Sequence, residues 1–366
     1  MKVLHVTSTF FPDSRGGIEE VIRQICLNTK PYEVESRIFT LSKNNIPEVI
    51  IKEGVEIFRS HKNFEIASSG FSFQAFLNFK NQAEWADVIH YHFPWPFADL
   101  LHILCQVKKK SIITYHSDVI RQKKLKYLYS PLMHYFLKDV DHIVATSNNY
   151  LETSQVLKNY KDKTRIIPIG LNQESYPDIS DSDLSNMEDR VGSGFFLFLG
   201  SLRKYKGLDI LLSALHGTNL QCVIAGSGGV EKELIHQADK LRMKNVFFLK
   251  RVSDVEKIAL LKLCRSVVFS STQRSEAFGV ALLEGSMFSK PLISTDLGTG
   301  TSYVNLNGTT GIVVPPSDII ALRKAMVQLD MDRLLAEKMG HSARLRYEKL
   351  FTGKLMGRKY FELYKR

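Results

Sequence analysis

Short runs of β-branched and aromatic residues alternate with helical patterns along this chain, and the alternation is played through twice. The first round takes in Lys2 to Thr7, a helix over Gly17 to Asn28, Glu35 to Leu41, and later strands at Val88 to Tyr91, Ser111 to Tyr115 and His142 to Thr146. Strands separated by helix-length segments build βαβ units, whose strands run parallel. The second round sets strands at Phe195 to Leu199, Gln221 to Ala225, Val246 to Phe248, Ser266 to Phe269 and Pro291 to Ser294 between helices over Gly207 to Leu215, Val230 to Leu241, Val255 to Leu263 and Val280 to Phe288. With 366 residues there is room for roughly two domains. Tyr176 to Gly194, rich in Pro, Asp and Ser and without a sustained apolar period, is expected to be the linker. An α/β fold follows, of two Rossmann-like doubly wound parallel-sheet domains facing a cleft. Residues 1–175 would form the N-terminal domain, 176–345 the C-terminal one, and 346–366 a C-terminal helix packing back on the N-terminal domain. Open α/β sheets bind ligands at the carboxyl ends of their strands, so the chemistry is expected there.

No apolar run approaches the ~20 residues needed to span a bilayer. The opening MKVLHVTSTFFP is interrupted by Thr7, Ser8 and Thr9 and reads as a first strand rather than a leader, so a cytoplasmic location is expected. Cys26, Cys105, Cys222 and Cys264 are far apart with no CxxC pair, which suits reduced core thiols. The net charge of +11 is concentrated in places. Lys108, Lys109, Lys110, Arg121, Lys123, Lys124 and Lys126 stand against Asp118 alone. From Arg121 the cations are mixed with Tyr127 and Leu128, and Met133 and Phe136 follow, a pattern suited to an anionic leaflet or a lipid diphosphate. A solvated helix is the plain alternative, and nucleic-acid binding has charge in its favour but no motif.

Four segments carry chemistry. In Arg274 to Glu284, RSEAFGVALLE, Glu276 and Glu284 are eight residues apart, and Ala277, Phe278 and Gly279 lead into a helix starting near Val280. Backbone N–H groups at such a start are preorganised for an anion, although an acid in a helix's first turn needs no ligand at all. In Gly200 to Gly207, GSLRKYKG, Arg203 and Lys206 follow a strand directly and offer fixed positive charge, although a solvated basic turn would read the same way. Gly16 and Gly17 lie between the first strand and first helix, where the backbone can approach a ligand, with Glu19 and Glu20 in the first turn. His116 and Asp118 end the strand of Thr114 and Tyr115. His90 and His92 share a strand face, but no third ligand is placed beside them, so no metal is expected. Ala225 to Gly229 lacks the full G-x-G-x-x-G and reads as a turn rather than a dinucleotide fingerprint.

Taken together these segments resemble the retaining nucleotide-sugar glycosyltransferases of the GT-B fold, the family 4 group. The resemblance implies that Glu276 binds hydroxyls of the donor sugar and Glu284 the ribose diol, with Ala277, Phe278 and Gly279 in the donor loop. It also implies that Lys206 neutralises the donor pyrophosphate. The family's second pyrophosphate cation falls on Ser201 here, and Arg203 is expected to replace it. Gly16 and Gly17 correspond to the family's glycine loop and are expected to bind the donor, His116 corresponds to a contact with the donor sugar near the reacting centre, and Glu19 and Asp118 are acceptor candidates. IHYHFPWPFAD, TYHSDVIRQKKLKYLYSPL, RSEAFGVALLEG and LGTGTSYVN look most like bacterial O-antigen mannosyltransferases, the B type in particular. That resemblance implies a GDP-mannose donor, a polyprenyl-diphosphate-linked oligosaccharide acceptor in lipopolysaccharide biosynthesis, and peripheral contact with the inner face of the cytoplasmic membrane. Another nucleotide sugar, a UDP-sugar or GDP-rhamnose, and a nucleotide-sugar epimerase stay open beside it. A dehydrogenase would need a first-strand glycine fingerprint, and a membrane-surface scaffold would leave the Glu276/Glu284 spacing unexplained. With no DxD motif preceding a donor loop and no carboxylate placed as a covalent nucleophile, the expectation is metal-independent, cofactor-free front-side transfer, with no nucleic-acid partner.

Overall fold

The computed structural model describes residues 1–66, 69–119 and 123–366, with side chains from Tyr127 onward in the last stretch. Of the expected basic patch, Arg121 and the side chains of Lys123, Lys124 and Lys126 lie outside the described residues. The chain divides into two units, Met1–Ile169 with Gly353–Arg366, and Gly170–Thr352.

The first unit carries β1 (Lys2–Val6), β2 (Glu35–Ser42), β3 (Val49–Lys52), β4 (Val55–His61), β5 (Phe64–Ile66), β6 (Ser69–Phe71), β7 (Val88–Phe93), β8 (Lys110–Tyr115), β9 (His142–Ala145) and β10 (Thr164–Ile166). Its helices are α1 (Gly17–Thr29), α2 (Ala75–Trp85), α3 (Pro96–Leu104), α4 (Lys123–Asp139) and α5 (Asn148–Thr153), and the last helix of the chain also belongs to it. Eight strands form one sheet in the order β10-β9-β8-β7-β1-β2-β4-β3, parallel except where β3 meets β4. All six residues of the central β7 are buried, as a parallel strand covered by helices on both faces requires. The edge β3 and the separate β5–β6 hairpin are additions at the rim. Their runs are only three or four residues long, too short for a period to declare itself.

The second unit carries α6 (Asp181–Val191), β11 (Phe196–Leu199), α7 (Leu208–Leu215), β12 (Cys222–Ala225), α8 (Glu231–Lys240), β13 (Val246–Leu249), α9 (Asp254–Leu263), β14 (Ser266–Phe269), α10 (Val280–Met287), β15 (Leu292–Thr295), α11 (Gly300–Val304), β16 (Gly311–Val314), α12 (Ile319–Met331) and α13 (Arg333–Leu350). Its six parallel strands are ordered β13-β12-β11-β14-β15-β16, so the winding reverses between β11 and β14. Leu208, Leu211, Leu212 and Leu215 of α7 and Leu322, Met326 and Leu329 of α12 close one face in a single buried cluster.

Two stretches differ from expectation. Tyr176 to Gly194 is not all linker: it holds α6, started by a capping box in which Ser180 and Asp183 exchange side-chain and backbone hydrogen bonds. Only Met187 and Val191 of that helix are buried, so its apolar stripe is too thin to stand out from the polar residues around it. The C-terminal helix expected over 346–366 is two helices, α13 and α14 (Gly353–Lys365). The break at Phe351 and Thr352 is made by a distant partner. The Leu171 amide donates to the Phe351 carbonyl at 2.9 Å, and Leu171 forms a parallel bridge with Thr352. After it, α14 runs against α1, where Phe361 stacks on Tyr32 at 4.6 Å.

Candidate active site

In the second unit the loops leaving β11 and β14 meet at the reversal of strand order, the place where doubly wound sheets open a crevice. The loop after β11 tightens into a single turn over Lys204–Lys206 and enters α7 through Gly207. Gly207 has φ +64°, and a Cβ there would sit inside the Ser270 carbonyl, so only glycine lets the two loops touch. Ser270 Oγ donates to the Lys206 carbonyl at 3.0 Å, and the Thr272 amide donates to the Tyr205 carbonyl at 2.8 Å. Thus stitched, Lys206 is buried, its ammonium 4.6 Å from the centre of the Phe269 ring and ion-paired with Glu276 Oε2. The turn Ala225 to Gly229 supports this loop, since the Gly200 and Leu202 amides donate to the Ala225 and Ser227 carbonyls at 3.1 and 3.0 Å.

Glu276 is held from the other side by the following strand's loop. Thr299 Oγ1 donates to the Glu276 carbonyl at 2.8 Å, and the Gly300 amide donates to the Ala277 carbonyl at 2.7 Å. Ala277 and Phe278 are buried, and Gly279, at φ +89°, caps α10. Eight residues after Glu276, Glu284 is buried in α10. Its Oε1 is ion-paired with Lys257 at 2.9 Å and accepts from the Tyr176 hydroxyl at 3.1 Å, and the Lys257 ammonium lies 4.7 Å from the Tyr176 ring centre. Each acid of the E-x7-E spacing is therefore matched with one lysine, Glu276 with Lys206 and Glu284 with Lys257. Lys257 and Tyr176 were not among the expected site residues. They come from α9 and from the stretch read as linker, and no local motif marks either. Arg203 and Ser201 stand exposed on the loop before Lys206.

In the first unit Gly16 and Gly17 are exposed at the start of α1. Glu19 folds back over them: a Cβ at Gly16 would lie 2.7 Å from Glu19 Oε2. Glu19 Oε1 accepts from Thr9 Oγ1 at 3.0 Å and also from Ser14 Oγ. The first-turn carboxylate that the helix dipole favours thus sits over the glycine loop, ringed by hydroxyls. Asp118 holds its own loop, accepting on Oδ1 from Tyr115 Oη at 2.9 Å and Ser154 Oγ at 2.6 Å.

His116 is buried at the end of β8, its amide donating to the Phe93 carbonyl at 2.9 Å. Behind it lie His92 and His90 of β7 and His5 of β1, all buried. His5 is the third imidazole that the sequence left out: it pairs with His90 across two adjacent parallel strands, a register invisible before folding. The ligand nitrogens of His5, His90 and His92 lie within 4.8 Å of one another. Dehydration pushes His5 and His116 down to about 3, and His90 and His92 well below the usual imidazole range. All four are neutral at physiological pH. The four cysteines are free thiols, and burial pushes Cys26 and Cys264 up to about 12, which leaves them inert.

Two family profiles match the chain: Glycosyltransferase Family 4 over residues 15–175 and Glycosyl transferases group 1 over residues 185–346. The D-rhamnosyltransferase WbpZ of Pseudomonas aeruginosa is 48% identical over 352 residues, covering 96% of this chain and 92% of the relative. The O-antigen chain mannosyltransferase C of Escherichia coli is 42% identical over 364 residues, covering 100% of this chain and 98% of the relative. Among solved structures, sucrose-phosphate synthase from Thermosynechococcus elongatus superposes with a TM-score of 0.81 at 19% identity, covering 100% of this chain and 98% of that one. Anabaena HepE in complex with UDP-glucose superposes with a TM-score of 0.80 at 18% identity, covering 99% of each chain. The chain belongs to the group 1 and family 4 glycosyltransferases and has their GT-B fold.

Proposed function

We propose that this glycosyltransferase transfers mannose from GDP-mannose to a polyprenyl-diphosphate-linked oligosaccharide in O-antigen biosynthesis, with retention of anomeric configuration. The observation that carries the assignment of a donor site is the Lys206–Glu276 pair, buried where β11 and β14 part, with Glu284 eight residues on, one turn into α10. An ammonium and a carboxylate that neutralise each other are ready for a ligand bearing both complements, a diphosphate for Lys206 and sugar hydroxyls for Glu276. Arg203, exposed beside them, adds the second cation, and Glu284 takes the ribose diol.

In the transfer step the bond between the anomeric carbon and the diphosphate oxygen breaks, its electron pair leaving with the nucleoside diphosphate. The acceptor hydroxyl oxygen bonds to the anomeric carbon on the face just vacated, and the departing phosphate oxygen takes the hydroxyl proton. Lys206 and Arg203 meet the negative charge as it develops, which is where fixed charge lowers a barrier most, so no metal is invoked. On the first unit, Gly16 and Gly17 are proposed as donor contacts, and Glu19 and Asp118 as acceptor contacts. Contact with the inner membrane face is assigned to the start of α4, where Tyr127 and Leu128 stand exposed.

A second donor is favoured by one specific observation: the 48% identical relative is a D-rhamnosyltransferase, while the 42% identical one is a mannosyltransferase. Rhamnose is mannose without the C6 hydroxyl, so the two donors differ by one polar group. Thermal unfolding with GDP-mannose, GDP-rhamnose and UDP-glucose separates them. At a hundred times its Kd the true donor adds about 2.7 kcal/mol of stability. Stabilisation by UDP-glucose alone would overturn the guanine assignment, and stabilisation with release of free sugar and no acceptor dependence would favour an epimerase.

A further inference from the structure

His116 does not stand alone. Its Nε2 is 3.0 Å from His92 Nδ1, and His92 Nε2 is in turn 3.1 Å from His5 Nδ1. The line ends at His5 Nε2, which is buried and has no hydrogen-bond partner among the described residues. His90 stays out of the line, since its Nδ1 meets the Tyr364 hydroxyl at 2.8 Å and its Nε2 meets Thr114 Oγ1 at 2.7 Å.

Three neutral imidazoles carry three protons, one each, and each N···N contact needs exactly one of them. Only two arrangements satisfy both contacts. Either every ring is protonated on Nε2, which leaves an N–H of His5 buried without an acceptor, or every ring is protonated on Nδ1, which leaves only a bare lone pair there. Among buried backbone groups an orphaned N–H is rarer than an under-satisfied acceptor, and the same preference favours the arrangement with the bare lone pair.

We infer that His92 and His5 are positioning residues that hold His116 in its Nδ1–H form, so that His116 acts on its ligand as a neutral hydrogen-bond donor and not as a general base. A proton accepted at His116 would have to rest on one of these rings. Among the described residues the groups that bear on them are His90 of β7, Thr114 of β8 and the hydroxyls of Tyr360 and Tyr364 on α14, none of them a carboxylate. Only desolvation and the other histidines act on His90 and His92, all against the charged form. A metal held by His5, His90 and His92 is disfavoured because both nitrogens of His90 are already taken and, among the described residues, no anion beside the rings offsets the charge. The part given to His116 at the substrate rests on the function proposed above, whereas its tautomer does not.

The test is ring-¹⁵N-histidine NMR of the whole protein from pH 5 to 8, with His116 assigned by loss of its signals in His116→Ala. The expected spectrum shows His116 neutral and protonated on Nδ1 throughout. An Nε2–H signal, a titration inside that window, or a spectrum that changes on adding EDTA or zinc would overturn the inference. His92→Asn, whose amide can donate to the bare Nε2, should keep the Nδ1–H signal and a kcat within about threefold. His92→Leu should lower kcat on the order of tenfold with donor KM little changed, because a lost orientation falls on the transition state. Equal kcat in the Leu and Asn variants would also overturn it, with wild-type NMR remaining decisive if either variant misfolds. Full transfer activity in His116→Ala, with the Nδ1–H signal present in wild type, would overturn the part given to His116 at the substrate while its tautomer stands.

Discussion

Lys206 and Glu276 illustrate how a residue's surroundings change its meaning. On an exposed turn a lysine and a glutamate would contribute little to each other. Here both are largely shielded, so removing one strands the other in a poorly solvated place. Lys206→Ala should cut kcat on the order of 10² or more while donor KM moves less, as for a group facing charge that develops only in the transition state. Glu276→Ala should abolish transfer with the circular dichroism spectrum unchanged, and Glu284→Ala should chiefly raise donor KM. Steady-state kinetics with a lipid-linked acceptor read all three, and transfer at near wild-type rate by the Glu276 variant would remove the donor-site assignment. Arg203→Ala addresses the departure at Ser201: normal kinetics there would mean that the second cation comes from elsewhere.

At the level of elements, β1, β7 and the end of β8 share an unusual load of buried imidazoles. Neutral in the folded protein and free to protonate when unfolded, they make stability depend on pH. His5 and His116 are depressed to about 3 against an ordinary 6.5, so the unfolded chain binds more protons throughout that interval. Stability is fully present above pH 6.5 and declines as pH falls toward 3, by about 1.4 kcal/mol per pH unit for each such histidine. Denaturant unfolding at pH 7, 6, 5 and 4 should show that decline. In His5→Phe the slope should fall by about one histidine's share, and an unaltered slope would mean that His5 is not buried in the neutral form. The same strands were legible in sequence because each is a run of β-branched and aromatic residues bounded by helix-length spacing. The rim strands and α6 were not, since a three-residue strand or a helix with two buried residues has too little apolar pattern to be read.

For the molecule as a whole, the net charge of +11 puts the proposed membrane contact to a test. Replacing Lys123, Lys124 and Lys126 by Gln should weaken binding to vesicles containing anionic lipid and lower activity on a lipid-linked acceptor, while a short water-soluble acceptor is used as before. The screening length is about 10 Å at 0.1 M salt, so wild-type binding should weaken between 50 and 500 mM. Salt-insensitive binding would point to insertion of the exposed Tyr127 and Leu128, and the absence of vesicle binding together with full activity of the Gln variant would leave this a solvated helix.

The alternation of the main strands and helices, the division into two doubly wound units, the E-x7-E spacing and the loop around Lys206 were written in local sequence, because periodicity, turn residues and motif spacing are properties of neighbouring residues. Tertiary structure alone decided which groups face one another. Leu171 reaches across 180 residues to break the last helix at Phe351, and Lys257 and Tyr176 converge on Glu284 from two other elements. His5 completes the line behind His116 through the pairing of β1 with β7, 85 residues apart in register. Such partners are set by strand order and packing, and no window of sequence contains both members of the pair.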